Sequence, residues 1–111
     1  MRQNEEKVIC AAILFPNLSA ELPNFDKEKV YHQPSNVEKG AIVLCGWRHG
    51  CIISQFWALT NKRVPETKSV QGFLTNHNRF LDRAEALELV RQNHQLEGDL
   101  IGGVLTSEDL W

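Results

Sequence analysis

No apolar stretch in the 111-residue sequence is longer than eight residues, and the longest, Val8–Phe15, follows Glu5-Glu6-Lys7 with no cleavage-like region after it. A membrane span needs about 20 apolar residues, and a secretory signal needs a basic start and a small-residue cleavage site. The sequence therefore reads as a protein that stays in the cytoplasm where it is made. An excess of positive charge is also missing. The net charge of −2 is wrong for a protein that lives on long nucleic acid, because neutralised phosphates and released counterions drive that binding. A small phosphorylated ligand is still compatible with local basic clusters.

Cysteine is scarce. Cys10, Cys45 and Cys51 make an odd count with no CxxC spacing and apolar neighbours, the pattern of reduced, mostly buried thiols. Cys51 and His49 do not suggest a nucleophile and its base, since side chains two apart on a helix diverge. The four histidines, His32, His49, His77 and His94, show no metal-ligand spacing. GxSxG, HExxH, Walker and GxGxxG patterns are absent. No cofactor, metal or catalytic residue is expected, and the chain reads as a binder rather than an enzyme.

What is present suits one domain over residues 1–111, of about the usual domain size. Three Trp and five Phe can build its core without disulfides. The run Lys7–Phe15 has the Val and Ile content of a buried strand, and Ala41–Cys45 resembles it. Between them, residues 16–40 carry Pro16, Pro23 and Pro34 and read as a loop insertion, with at most a short strand near Lys29–His32. Loops of that length are uncommon unless they serve a function.

A glycine-flanked turn, Gly46-Trp47-Arg48-His49-Gly50, leads into a helix expected over His49–Thr60. Its buried face is Ile52, Ile53, Phe56 and Trp57, with His49 at the head. Gly72–Thr75 and Arg79–Leu81 read as a hairpin around Asn76-His77-Asn78. Asp82 with Glu85 starts a second helix as a capping box, with Arg83 heading a stripe of Ala86, Leu87 and Val90. The expected fold is α+β: a small antiparallel sheet packed against two helices.

Two places can meet an anion. At the first helix start, free N–H groups and the positive dipole end accompany Arg48 and His49. Arg48 is otherwise a solvated residue and His49 the end of the core. At the second, Arg83 opposes the macrodipole, so it needs a carboxylate such as Asp82 or Glu85, or an anionic ligand. If the two helix starts meet, they form one pocket. Phe73 and Phe80 are core residues or stacking platforms, and aromatic rings beside arginine hold a base next to its phosphate. Leu110 and Trp111 should pack on the body or on a neighbouring copy, and Glu108 and Asp109 fit a docking tail better than a catalytic pair.

Several motifs resemble a family of small phage-encoded proteins. They are Ala11-Ala12, Gly46-x-Arg48-His49, Gly72-Phe73, Asn78-Arg79-Phe80-x-Asp82-Arg83-x-Glu85-Ala86 and the final Ser107-Glu108-Asp109-Leu110-Trp111. In that order they are similar to the first type of Thoeris anti-defence protein. The resemblance implies an oligomeric sponge that binds a cyclic ADP-ribose-type immune signal in the host bacterial cell, with related members taking small cyclic oligonucleotides at separate sites. Residues 16–40 depart from it as an insertion. On this reading Arg48 and His49 meet one phosphate and Arg79 and Arg83 a second phosphate or ribose. Asn78 reads polar edges, and Phe73 or Phe80 stacks. The alternative is a phage inhibitor that binds a host defence protein directly through residues 16–40 and the tail.

Overall fold

The structure is a computed structural model that describes residues 5–18, 26–29, 33–65, 68–100 and 102–111. The expected α+β architecture is present: a four-stranded antiparallel sheet in the order β2-β1-β3-β4. Strand β1 (Val8–Phe15) lies between β2 (Ile42–Gly46) and β3 (Val70–Thr75), and β4 (Phe80–Asp82) closes the far side. Helix α1 (His49–Thr60) carries the chain from β2 over β1 to β3, α2 (Arg83–Gln92) follows β4, and a short α3 (Ser107–Leu110) ends the chain. Residues 30–32 of the short strand considered near Lys29–His32 lie outside the described residues, and Lys29 closes a 3-10 turn, Lys27–Lys29.

Register explains how one sheet face receives both helices. Cross-strand partners share a face, and the rows Gly46–Ala11–Phe73–Leu81 and Leu44–Ile13–Gln71 follow from the pairing. Ala11, Ile13 and Phe15 meet Ile52 and Phe56 of α1, with the Phe15 and Phe56 rings stacked at 4.9 Å. Phe73, Leu81 and Val8 meet Ala86 and Val90 of α2, joined by Leu105 of the tail. A bulge between Val8 and Cys10 returns Val8 to this face.

The α1 face is narrower than the apolar spacing suggests. His49, Ile52 and Phe56 are buried, whereas Ile53 and Trp57 are 37% and 57% exposed. The thiols differ from expectation too: Cys45 and Cys51 are exposed and Cys10 is half-buried, because strand alternation turns Cys10 and Cys45 to the face opposite the helices.

That opposite face is covered by the described part of residues 16–40. Phe80 packs with Ala12 and Val43 there, and Val37 lies against them. Pro34 is buried, and Leu18 is buried against the helix-side core. Asn36 donates from Nδ2 to the Phe80 carbonyl (2.6 Å) and accepts from the Phe80 N–H (2.8 Å). Gln33 Oε1 accepts from the Val43 N–H at 2.8 Å. Gln95 does the same for β1, accepting from Val8 N–H (2.7 Å) and donating to its carbonyl (2.9 Å).

Asn36→Ala removes both bonds to Phe80, and the expected cost is about 1–3 kcal/mol, the scale of partly buried backbone groups left unpaired. Asn36→Asp keeps the acceptor only and should fall between. Urea unfolding measures both, and an Asn36→Ala midpoint equal to wild type would show that water replaces the amide without loss.

Candidate functional site

The two helix starts do meet. Helix α1 begins after Arg48, whose extended backbone (φ −133°, ψ 157°) makes it the N-cap without a side-chain cap bond. Helix α2 begins at Arg83 behind the Asp82–Glu85 capping box, with both of its bonds formed at 2.8 and 3.0 Å. The His49 ring crosses β1 to β3, where Nε2 lies 2.7 Å from the Gly72 carbonyl and the ring meets the edge of Phe73 at 5.1 Å. Ala11 and Gly46 are the small residues beneath this crossing. A side chain at Gly46 would come within 3.1 Å of Ile52.

Burial holds the His49 imidazole below its ordinary pKa, and the charge of Arg83 adds to that push. The ring is therefore neutral and donates from Nε2 to Gly72. Arg83 is close by, because Asp82 pairs with Gly72 and Arg83 bonds to Gln71.

The tail joins the two arginines. Arg83 donates to the Leu105 carbonyl and to Gln71 Oε1, 2.5 Å away. Arg48 donates to the main-chain oxygen of Trp111 and lies 3.7 Å from Glu108. Trp111 returns a bond from Nε1 to the Trp47 carbonyl at 2.7 Å. Leu110 and Trp111 thus pack on their own chain, against the core around Phe73. Both contacts of Arg83 are neutral oxygens, not Asp82 or Glu85. Burial pulls its pKa down while Glu108 and Asp109 push it back, and a guanidinium stays charged throughout. The Nη1 atom of Arg48 is buried without a hydrogen-bond partner.

Of the residues singled out from sequence, Arg48, His49, Phe73 and Arg83 come together. Asn78, Arg79 and Phe80 do not join them. Strand β4 places Arg83 four residues beyond Arg79, roughly 13 Å along an extended chain. Arg79 makes a two-bond fork to Glu6 at 2.8 and 2.7 Å and lines a cleft of about 280 Å³ with Glu6, Glu85 and Glu88. Three carboxylates around one guanidinium repel a phosphate. Asn78 turns the hairpin with φ 57° and accepts at its carbonyl from Ser35 N–H. Phe80 lies on the opposite face, where its ring tip would meet any side chain placed at Gly72. Phe73 and Phe80 are 0% and 6% exposed, so neither offers a face for stacking.

Sequence reasoning missed Gln71, Leu105 and Trp47 as parts of this site. The Leu105 contact is made by a main-chain carbonyl and leaves no side-chain signature. Trp47 had a signal, an aromatic residue beside Arg48 inside the glycine-flanked turn. Among the described residues no group of three or more His, Cys, Asp or Glu is placed to hold a metal, and no helix is long and apolar enough to cross a membrane.

The family model described as Phage T4 y16D protein matches residues 7–111. No curated protein and no solved structure matches the chain.

Acid should unfold the protein in two steps. Unfolded His49 binds a proton near pH 6.5, whereas the folded ring resists it, so this contribution is complete above about 6.5 and is lost as pH falls below it. The Arg79 fork holds Glu6 down at about 2 from 4.5, so its contribution is complete above 4.5 and disappears as pH falls through 2. Unfolding free energy measured from pH 8 to 3 should show both limbs. His49→Gln should flatten the upper one and Glu6→Gln the lower, and an upper limb unchanged in His49→Gln would remove His49 as its source.

Proposed function

The chain belongs to the Phage T4 y16D protein family, and on that premise we propose that it binds a phosphorylated cyclic nucleotide signal and holds it unchanged. The protein is a phage counter-defence sponge acting in the cytoplasm of the host bacterium, in the manner of the first type of Thoeris anti-defence protein that its motifs resemble. The observation that carries the reading is the convergence of Arg48 and Arg83 from two helix starts. One guanidinium has a buried nitrogen, Arg48 Nη1, with no hydrogen bond and the Glu108 carboxylate 3.7 Å away, and the other makes its hydrogen bonds to neutral oxygens. Charge-assisted bonds from arginine to a phosphate oxygen are about twice as strong as those to neutral acceptors, which favours exchange of the Leu105 carbonyl on Arg83 for an anionic ligand, against the opposing charge of Glu108 and Asp109.

Capture without turnover fits the remaining chemistry. Holding a ligand tightly requires complementarity to its ground state, which an active site avoids. His49 is neutral and committed to Gly72, which leaves Nε2 unavailable as a base. Cys51, two residues on, is exposed, and its thiol lacks a partner base on the same helix face.

Titration calorimetry with cyclic ADP-ribose, followed by mass spectrometry of the ligand released on heating, tests the proposal. Intact release is expected, and a cleaved product overturns the sponge reading in favour of an enzyme. Arg83→Ala should lower affinity by roughly 1.5–3 kcal/mol, and Arg83→Lys should recover only part, since an ammonium lacks the planar fork. Wild-type protein that binds no cyclic nucleotide but co-purifies with a host defence protein would leave the inhibitor reading in its place.

The protein also assembles with copies of itself. Leu110 and Trp111 are used within the chain, and among the described residues the outward side of α1, where Ile53 and Trp57 stand one turn apart, offers apolar surface for assembly. Light scattering at micromolar concentration should report more than one copy, and Trp57→Glu should reduce it. A monomeric wild type would rule assembly out.

A further inference from the structure

We infer that Trp47 is the stacking surface for the base of the bound nucleotide, which makes it the residue that distinguishes a nucleotide from other phosphates at this site. The inference rests on the binding role proposed for Arg48 and Arg83. Arginine with a neighbouring aromatic ring is the pair that grips a phosphate and its base together, but both phenylalanines near the site are closed: Phe73 lies beneath His49 and Phe80 on the other side of the sheet. Trp47 is 63% exposed and directly precedes Arg48. The Arg48 guanidinium lies 4.5 Å from the centre of its ring.

Trp47 is anchored through its main chain, and its ring packs against the Arg48 guanidinium. Its main-chain carbonyl accepts the Trp111 indole N–H at 2.7 Å, and Trp111 in turn packs on the core. Arg48 is fixed between the Trp47 ring and the main-chain oxygen of Trp111. A ring ordered before the ligand arrives loses little freedom on stacking, which is where preorganisation adds affinity. A phosphate seated on Arg48 carries its base, one ribose away, toward the neighbouring indole. Every base has a π face, so this contact selects for an aromatic heterocycle without reading which one it is.

Two probes separate stacking from charge: cyclic ADP-ribose, which carries an adenine, and inorganic pyrophosphate, which carries none. Calorimetry on the full chain should show Trp47→Ala weakening cyclic ADP-ribose by roughly 5- to 150-fold, the range for losing one base–aromatic stack. Pyrophosphate affinity should stay within about twofold. Trp47→Phe should restore most of the loss, and Trp47→Leu, apolar but not aromatic, should behave like Trp47→Ala. Unchanged cyclic ADP-ribose affinity in Trp47→Ala, with Arg83→Ala weakened, overturns the role of Trp47 and leaves the binding proposal standing. Equal losses for both probes also overturn it, because Trp47 would then only position Arg48. A wild type that binds cyclic ADP-ribose no better than pyrophosphate overturns the stacking role directly, and one that binds neither overturns both proposals.

Discussion

The bond from the neutral His49 ring to the Gly72 carbonyl fixes the rest of the site. It ties the start of α1 to a strand that is not its sequence neighbour, across the central strand of the sheet. The crossing is possible because the row beneath it is small: Gly46 on β2 and Ala11 on β1 leave height for the ring, and Phe73 supports its edge. Once α1 is pinned there, Arg48 is set at its entrance, and Arg83 at the start of α2 reaches Gln71 beside the same Gly72. The surroundings, not the bond itself, oppose protonation, because a charged ring would still donate to Gly72. An imidazolium would have to lose water and sit beside Arg83, and both effects disfavour it.

Sequence periodicity revealed most of what is local. The bounds of α1, the hairpin around Asn78 and the Asp82–Glu85 capping box all depend on residues within a few positions of one another. The width of the buried face of α1 was not legible, because Ile53 and Trp57 satisfy a helical pattern whether or not anything covers them. The convergence of the two helix starts depends on strand order, and a single sequence does not encode that order visibly. Arg83 illustrates the remaining gap. Its position against the helix dipole signalled a need for a partner, yet the partners lie at residues 71 and 105 and are neutral oxygens. Arg79 and Arg83 share one short motif, but the extended β4 lies between them and the Arg79 guanidinium turns to Glu6.

The C-terminal segment has a double role in this electrostatic arrangement. Leu105 and Ser107 are buried as core residues, and Thr106 with Asp109 forms a second capping box that starts α3. The same segment presents carbonyls and Glu108 to two arginines. The Glu108 carboxyl is held below its ordinary pKa first by its own main-chain N–H and then by Arg48. The tail therefore solvates two half-buried cations in place of water, and Glu108 and Asp109 offset their charge.

The amide side chains that border the sheet have a consequence for what the molecule avoids. A strand at the end of a sheet shows a row of unsatisfied N–H and C=O groups, a template on which a foreign strand can grow. Here β2 and β4 are the outer strands, and one crossing segment reaches both: Gln33 occupies the Val43 N–H, and Asn36 occupies both polar groups of Phe80. Each amide imitates a neighbouring peptide group and ends the ladder there. A single piece of chain thus interrupts strand addition on both flanks, at Val43 of β2 and at Phe80 of β4.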